Sequence, residues 1–206
     1  MALPAEAHGK IPKAMLDFHV SGGVCRGPLL VTRGNWLGRI LATLGQLPEE
    51  TPGGRRRNPA DVVVTSTASV STPGGVDWAR LFPRGCSSGQ MAPPLESRWY
   101  YDEVTGLAVD SFTWWGIKDF AAFGFVLEPM EVPGHEAASG LLGFRHVTKR
   151  AWVLGVPVPL ALSLSADGVS LPHEDGRGWR VEVAVEHPLV GLVVAYSGDV
   201  RVVTEK

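Results

Sequence analysis

A chain of 206 residues with 19 Lys and Arg against 21 Asp and Glu carries a formal charge of −2, so no whole-surface attraction to nucleic acid or an anionic membrane is expected. With 45% hydrophobic and 19% charged residues it can bury a proper core, which excludes a disordered tail and points to one domain over residues 1–206, with 1–18 as an N-terminal extension. No apolar run reaches the ~20 residues of a spanning helix, and the opening MALPAEAHG has no basic and apolar secretion signal, so the expectation is a soluble, cytoplasmic protein without a membrane partner.

In chain order, residues 12–18 form a short expected helix, with Pro12 in the first turn, where proline is tolerated. Gly22 to Arg33 reads as extended. Trp36, Leu37, Ile40, Leu41 and Leu44 then recur at helical spacing behind the N-cap Asn35, and Gly45 and Pro48 end the helix. Its apolar stripe is expected to dock on the rest of the domain. Residues 51–59 (TPGGRRRNP) read as a surface loop with Arg55, Arg56 and Arg57 solvated.

Strand patterns follow. Residues 61–70 are β-branched, Gly74-Gly75 is a turn, and Val76, Trp78, Arg80 and Phe82 share one face at period two. Around Trp99 to Tyr101 and again over 107–114 the pattern is aromatic and alternating, ending at Trp114-Trp115-Gly116. Residues 120–127 (FAAFGFVL) are too uniformly apolar for period to separate helix from strand. Residues 128–140 read as a loop. Four strands are expected over 141–154, 158–165, 179–186 and 189–203, the third with Trp179, Val181, Val183 and Val185 on one face. The 25 glycines and 16 prolines punctuate the chain throughout. The expected fold is mainly β: an antiparallel β-barrel of about eight strands, lipocalin-like or calycin-like, with one or two short helices near the N-terminus and room for one small ligand.

Motifs for nucleotide and metal chemistry are missing. The six histidines show no HxH or HxxxH spacing, Cys25 and Cys86 form no CxxC, and no GxGxxG or GxxxxGK[ST] occurs. No cofactor and no metal are therefore expected. Cys86, in the loop GCSSG, is a candidate nucleophile without an evident base. His146 and His187 are candidate acid–base groups. Arg80 shares its face with Trp78 and Phe82. If that face is inward, Arg80 needs a buried partner, with Asp110, Glu128 and Glu182 the candidate carboxylates.

The segments 27–48 (GPLLVTRGNWLGRILATLGQLP), 78–82 (WARLF), 155–159 (GVPVP) and 187–198 (HPLVGLVVAYSG) resemble an uncharacterised bacterial domain family, a domain of unknown function. Its members occur alone or behind a saccharopine-dehydrogenase-like NAD-binding domain. The NAD-binding portion has no counterpart here, so the resemblance implies no cofactor. Where members carry a basic residue after GVPVP this chain has Leu160, so it implies no anion site there. At the level of architecture the chain also resembles small β-barrel polyketide cyclases.

These readings combine in one functional expectation: a cofactor-independent cyclase or isomerase of polyketide-type natural-product biosynthesis. Its small apolar organic substrate would lie among Trp78, Trp99, Trp114 and Trp115, with Arg80, Gln90, Tyr101 and Tyr196 as polar anchors. The alternatives are a lipocalin-like binding protein that does no chemistry and an accessory domain of a redox enzyme. A homodimer is an allowed state.

Overall fold

The computed structural model describes residues 9–51, 60–82, 93–132 and 141–203. Cys86, Gln90, His135 and the arginines of residues 55–57 lie outside the described residues. Eleven strands occur among the described residues: β1 (Gly22–Arg33), β2 (Ala60–Ala68), β3 (Val76–Leu81), β4 (Leu95–Asp102), β5 (Leu107–Trp114), β6 (Ile117–Glu131), β7 (Leu142–Val153), β8 (Val156–Val158), β9 (Ser165–Pro172), β10 (Gly178–His187) and β11 (Gly191–Val202). Among the described residues the other regular elements are two α-helices, α1 (Lys13–Val20) and α2 (Trp36–Leu44), and a 3₁₀ turn at Leu160–Leu162.

Each barrel strand pairs antiparallel with its neighbour, β6 pairs with β7, and β11 returns to β1, so the sheet closes. Ten strands form the ring. Among the described residues β8 pairs with β7 alone and lies outside the ring, while β9 takes the place beside β7. The expected count of about eight is corrected to ten. Residues 120–127, ambiguous by period, are the middle of β6, and part of the expected loop at 128–140 continues that strand to Glu131. The strand expected over 158–165 is instead β8, a 3₁₀ turn and the start of β9. The β9 sequence SADGVSLP mixes Gly, Ser and Asp into a strand whose hydrogen-bonded neighbours, not its propensity, hold it.

Tight turns set the hairpin tips. Trp115 and Gly116 have φ of 49° and 76° between the paired Trp114 and Ile117, and Leu154 and Gly155 have 51° and 75° between Val153 and Val156. Successive positive φ values match the right-handed strand twist of a two-residue hairpin, with glycine taking the second position.

The helices sit at opposite ends of β1. Helix α1 precedes its first residue and buries Met15, Phe18 and His19, so it seals that end of the barrel. The Ser66 hydroxyl donates to the Phe18 carbonyl at 3.0 Å and ties the helix to β2. Helix α2 starts as expected at Asn35, whose side-chain oxygen accepts from the Gly38 N–H at 2.9 Å while its Nδ2 donates to the Val190 carbonyl at 3.0 Å. The face that docks is a correction: Gly38 and Ala42 are buried, whereas Trp36, Leu37, Ile40 and Leu44 are exposed. A Cβ at Gly38 would meet the Leu192 carbonyl oxygen at 2.4 Å, so the helix approaches β11 through its small residues, with Leu41 alone of the expected stripe packed against the core.

Candidate functional site

The alternating faces converge on one interior. The pairings Cys25–Val64, Val64–Arg80, Trp99–Asp110, Asp110–Phe123, Gly168–Val183 and Val183–Tyr196 run from strand to strand round the ring, and all these residues except Gly168 line a cavity of about 740 Å³. That volume lies within the ~300–1,000 Å³ usual for small-molecule sites. The end opposite α1 is bordered by Leu41 of α2, Trp114 of β5, Leu162 of the 3₁₀ turn, and Ser163 and Leu164 just after it.

Aromatic rings build one wall. Trp78 stacks on Trp99 with centroids 5.5 Å apart and planes 4° apart, and Trp99 stacks on Phe125 at 5.8 Å and 16°. Arg80 lies against this wall, its guanidinium carbon 4.7 Å from the Trp78 ring centroid and 5.7 Å from that of Phe112. One terminal nitrogen donates to the Ser97 hydroxyl at 2.8 Å and the other to Asp110 Oδ2 at 3.2 Å. Of the three candidate partners for Arg80, Asp110 is the one that meets it. Glu182 pairs with Arg180 at 2.7 Å in an exposed position, and Glu128 is exposed.

Burial governs the acid–base groups. It pushes the Asp110 carboxyl up, against the opposing pull of Arg80 and Ser97. It drives the His19 imidazole down to about 4, although the Met15 carbonyl hydrogen-bonded to its Nδ1 at 2.7 Å favours the charged form, and Arg80 lowers it further. His146 is also lowered to about 4 by burial, with the same sign from His19 and Arg80. Both rings are therefore neutral at pH 7. Burial raises the Cys25 thiol to about 12 and raises the Tyr196 hydroxyl, so neither supplies an anion at neutral pH.

Five buried polar atoms on cavity-lining residues have no hydrogen-bond partner among the described residues: Trp78 Nε1, Trp114 Nε1, Asp110 Oδ1, His146 Nδ1 and Ser163 Oγ. Each such atom costs ~1–3 kcal/mol when left unpaired. The walls thus combine an apolar surface with a few groups able to hydrogen-bond.

Among the anchors expected from the sequence, Trp78, Arg80, Trp99, Trp114 and Tyr196 come together around the cavity. Tyr101 and Trp115 do not. Tyr101 is 48% exposed near the end of β4 beside the turn, and Trp115 is 56% exposed at the tip of the β5–β6 hairpin. Gln90 lies outside the described residues. His187 accepts the Leu189 N–H at 3.2 Å in the β10–β11 turn. His19, Phe123 and Phe125 were not anticipated. His19 carries no motif, and only the packing of α1 under the barrel brings it to the cavity.

Among the described residues, no helix is long and apolar enough to cross a membrane, and no three His, Cys, Asp or Glu converge to hold a metal. No curated protein and no solved structure matches the chain. The model of a family described as a domain of unknown function, DUF4166, matches residues 16–200, and the chain belongs to that family.

Proposed function

We propose that the barrel encloses an apolar, ring-containing or polyene small molecule and turns it over without a cofactor, by isomerisation or ring closure. The observation that carries this reading is the buried Arg80–Asp110 pair set in a mainly aromatic and aliphatic cavity. A container for apolar cargo gains nothing from a buried ion pair, which is costly to desolvate. A site that must stabilise charge during a reaction does gain from fixed, water-excluded donors. The stacked wall of Trp78, Trp99 and Phe125 offers flat surfaces that hold a folded substrate in reactive geometry, a contribution of up to ~7–11 kcal/mol in favourable cases.

The experiment is a titration of tryptophan emission with ring compounds of increasing size, from the bicyclic 2-tetralone to a tetracyclic steroid ketone, followed by product analysis without added cofactor. Saturable quenching whose affinity grows with ring number until the cavity is filled supports the reading. Failure of every compound to saturate overturns it. Saturable binding with every compound recovered unchanged favours a second reading, simple carriage, for which the largely apolar wall is the supporting observation.

A further inference from the structure

His19 is held as a base. Its Nδ1 lies 2.7 Å from the Met15 carbonyl, an acceptor only, so Nδ1 carries the proton and Nε2 keeps its lone pair. Nε2 has no hydrogen-bond partner among the described residues. The ring is fixed on several sides by aromatic contacts, 5.3 Å from Trp78, 5.3 Å from Phe144 and 5.6 Å from Trp179 between centroids. His146 lacks this orientation, since its Nδ1 makes no hydrogen bond among the described residues.

Arg80 lies against the same indole as His19, its guanidinium carbon 4.7 Å from the Trp78 centroid. Among the described residues two of its N–H groups are engaged, one by Ser97 and one by Asp110. A guanidinium has five. The remaining donors are a fixed cationic hydrogen-bonding surface in the cavity that His19 also lines.

We infer that His19 and Arg80 form a proton-transfer site for apolar carbonyl compounds, in which Nε2 of His19 removes a proton from the carbon next to the carbonyl and the unengaged N–H groups of Arg80 hold the resulting enolate oxygen. The C–H bond breaks and an N–H bond forms on His19. The electron pair of the C–H bond becomes the enolate double bond, and the carbonyl π pair moves onto oxygen beside Arg80. Return of the same proton to a conjugated carbon gives an isomer. Attack of the enolate carbon on a second carbonyl of the same molecule closes a ring, with the proton passing to the new alkoxide. No oxidant or reductant enters. A base of depressed basicity is adequate when the oxyanion is stabilised this way, as carboxylate bases near pKa 4.6 show. Asp110 and Ser97 are positioning residues that hold the guanidinium.

This inference rests on the proposed reading of the cavity, and its test separates the two. Full-length protein is mixed with 2-tetralone in D₂O at neutral pD, and loss of the proton signal next to the carbonyl is followed by NMR while binding is read by tryptophan quenching. The expected result is exchange at least ~100-fold faster than in buffer. It should fall to near the buffer rate in His19→Gln and in His19→Phe, with quenching retained in both. The rate should be flat from pH 6 to 8, because the imidazole is already the free base there. Quenching without accelerated exchange overturns the proton-transfer site and leaves the cavity reading standing. No saturable quenching overturns both. Exchange that survives in both His19 variants but is lost in His146→Gln overturns the assignment of the base.

Discussion

Arg80 on β3 and Asp110 on β5 reach across the intervening β4 to pair at 3.2 Å, each side chain only 8% exposed, with Ser97 of β4 bonded to the same guanidinium. Three adjacent strands are thereby linked through one buried cation. Because the pair is desolvated, its two halves are interdependent. Removing one leaves the other charged or forces it to neutralise.

Arg80→Met should therefore lower stability by ~3–5 kcal/mol, read from the urea midpoint, since Asp110 is left buried without its counter-ion. The double replacement Arg80→Met with Asp110→Leu should recover most of that loss, because two apolar side chains then fill the site. A single variant as stable as the parent would mean that the pair carries no structural weight.

Half of this relationship was legible in the sequence. Period-two alternation of Val76, Trp78, Arg80 and Phe82 put Arg80 on one face with Trp78, so that an inward face required a buried partner, while Asp110 was only one of three candidate carboxylates. Parity works wherever a strand has one buried side. It stops working at strand ends and tips. Trp115 occupies the first position of a two-residue turn, and Tyr101 keeps the parity of Trp99 but sits where β4 is ending, so neither reaches the cavity. His19 was invisible because its place depends on a tertiary contact between α1 and the barrel end. The stripe of α2 misled for a different reason: close approach through Gly38 and Ala42 outweighed the burial available to the larger residues, a backbone effect that hydrophobic periodicity does not contain.

Acid should expose the neutral histidines. His19 and His146 are held at about 4 in the fold, against 6.5 in a free chain. Between these values the unfolded chain binds protons that the folded chain refuses, so their contribution to stability is fully present above about pH 6.5 and falls as pH falls toward 4. Asp110 acts in the opposite direction, because its raised value lets the folded chain take up a proton first. Comparison of variants isolates the histidines. His146→Leu should lose about 3 kcal/mol less stability than the parent between pH 7 and pH 4, at ~1.4 kcal/mol per pKa unit. Equal acid losses in the two proteins would show that His146 is not held neutral by burial.

The cap of α2 should be measurable alone. Asn35 satisfies the Gly38 N–H and also reaches the Val190 carbonyl in the β10–β11 turn. Asn35→Ala should cost ~1–2 kcal/mol in thermal or urea unfolding. Asn35→Asp should keep the cap but lose the bond to Val190, giving a smaller loss. Identical losses in the two variants would assign the whole effect to the turn contact.

The cavity itself can be closed from its wall. Val183 lies in the middle of β10 between Gly168 of β9 and Tyr196 of β11, and its side chain lines the interior. The His146 ring already fills the space over Gly168, where a Cβ would meet its Nε2 at 2.4 Å, so a larger group at Val183 has to extend into the cavity itself. Val183→Phe places a ring in the cavity and buries additional apolar surface, worth ~25 cal/mol per Å². The unfolding midpoint should stay level or rise, in contrast to the loss that overpacking a filled core produces. Binding should move the other way, with the affinity for 2-tetralone falling at least ~10-fold as its volume is taken, a change of ~1.4 kcal/mol. A variant that is folded, no less stable and still binds the ketone as tightly as the parent would place the ligand outside the barrel. A variant that is strongly destabilised would mean that the interior beside Val183 is packed rather than open.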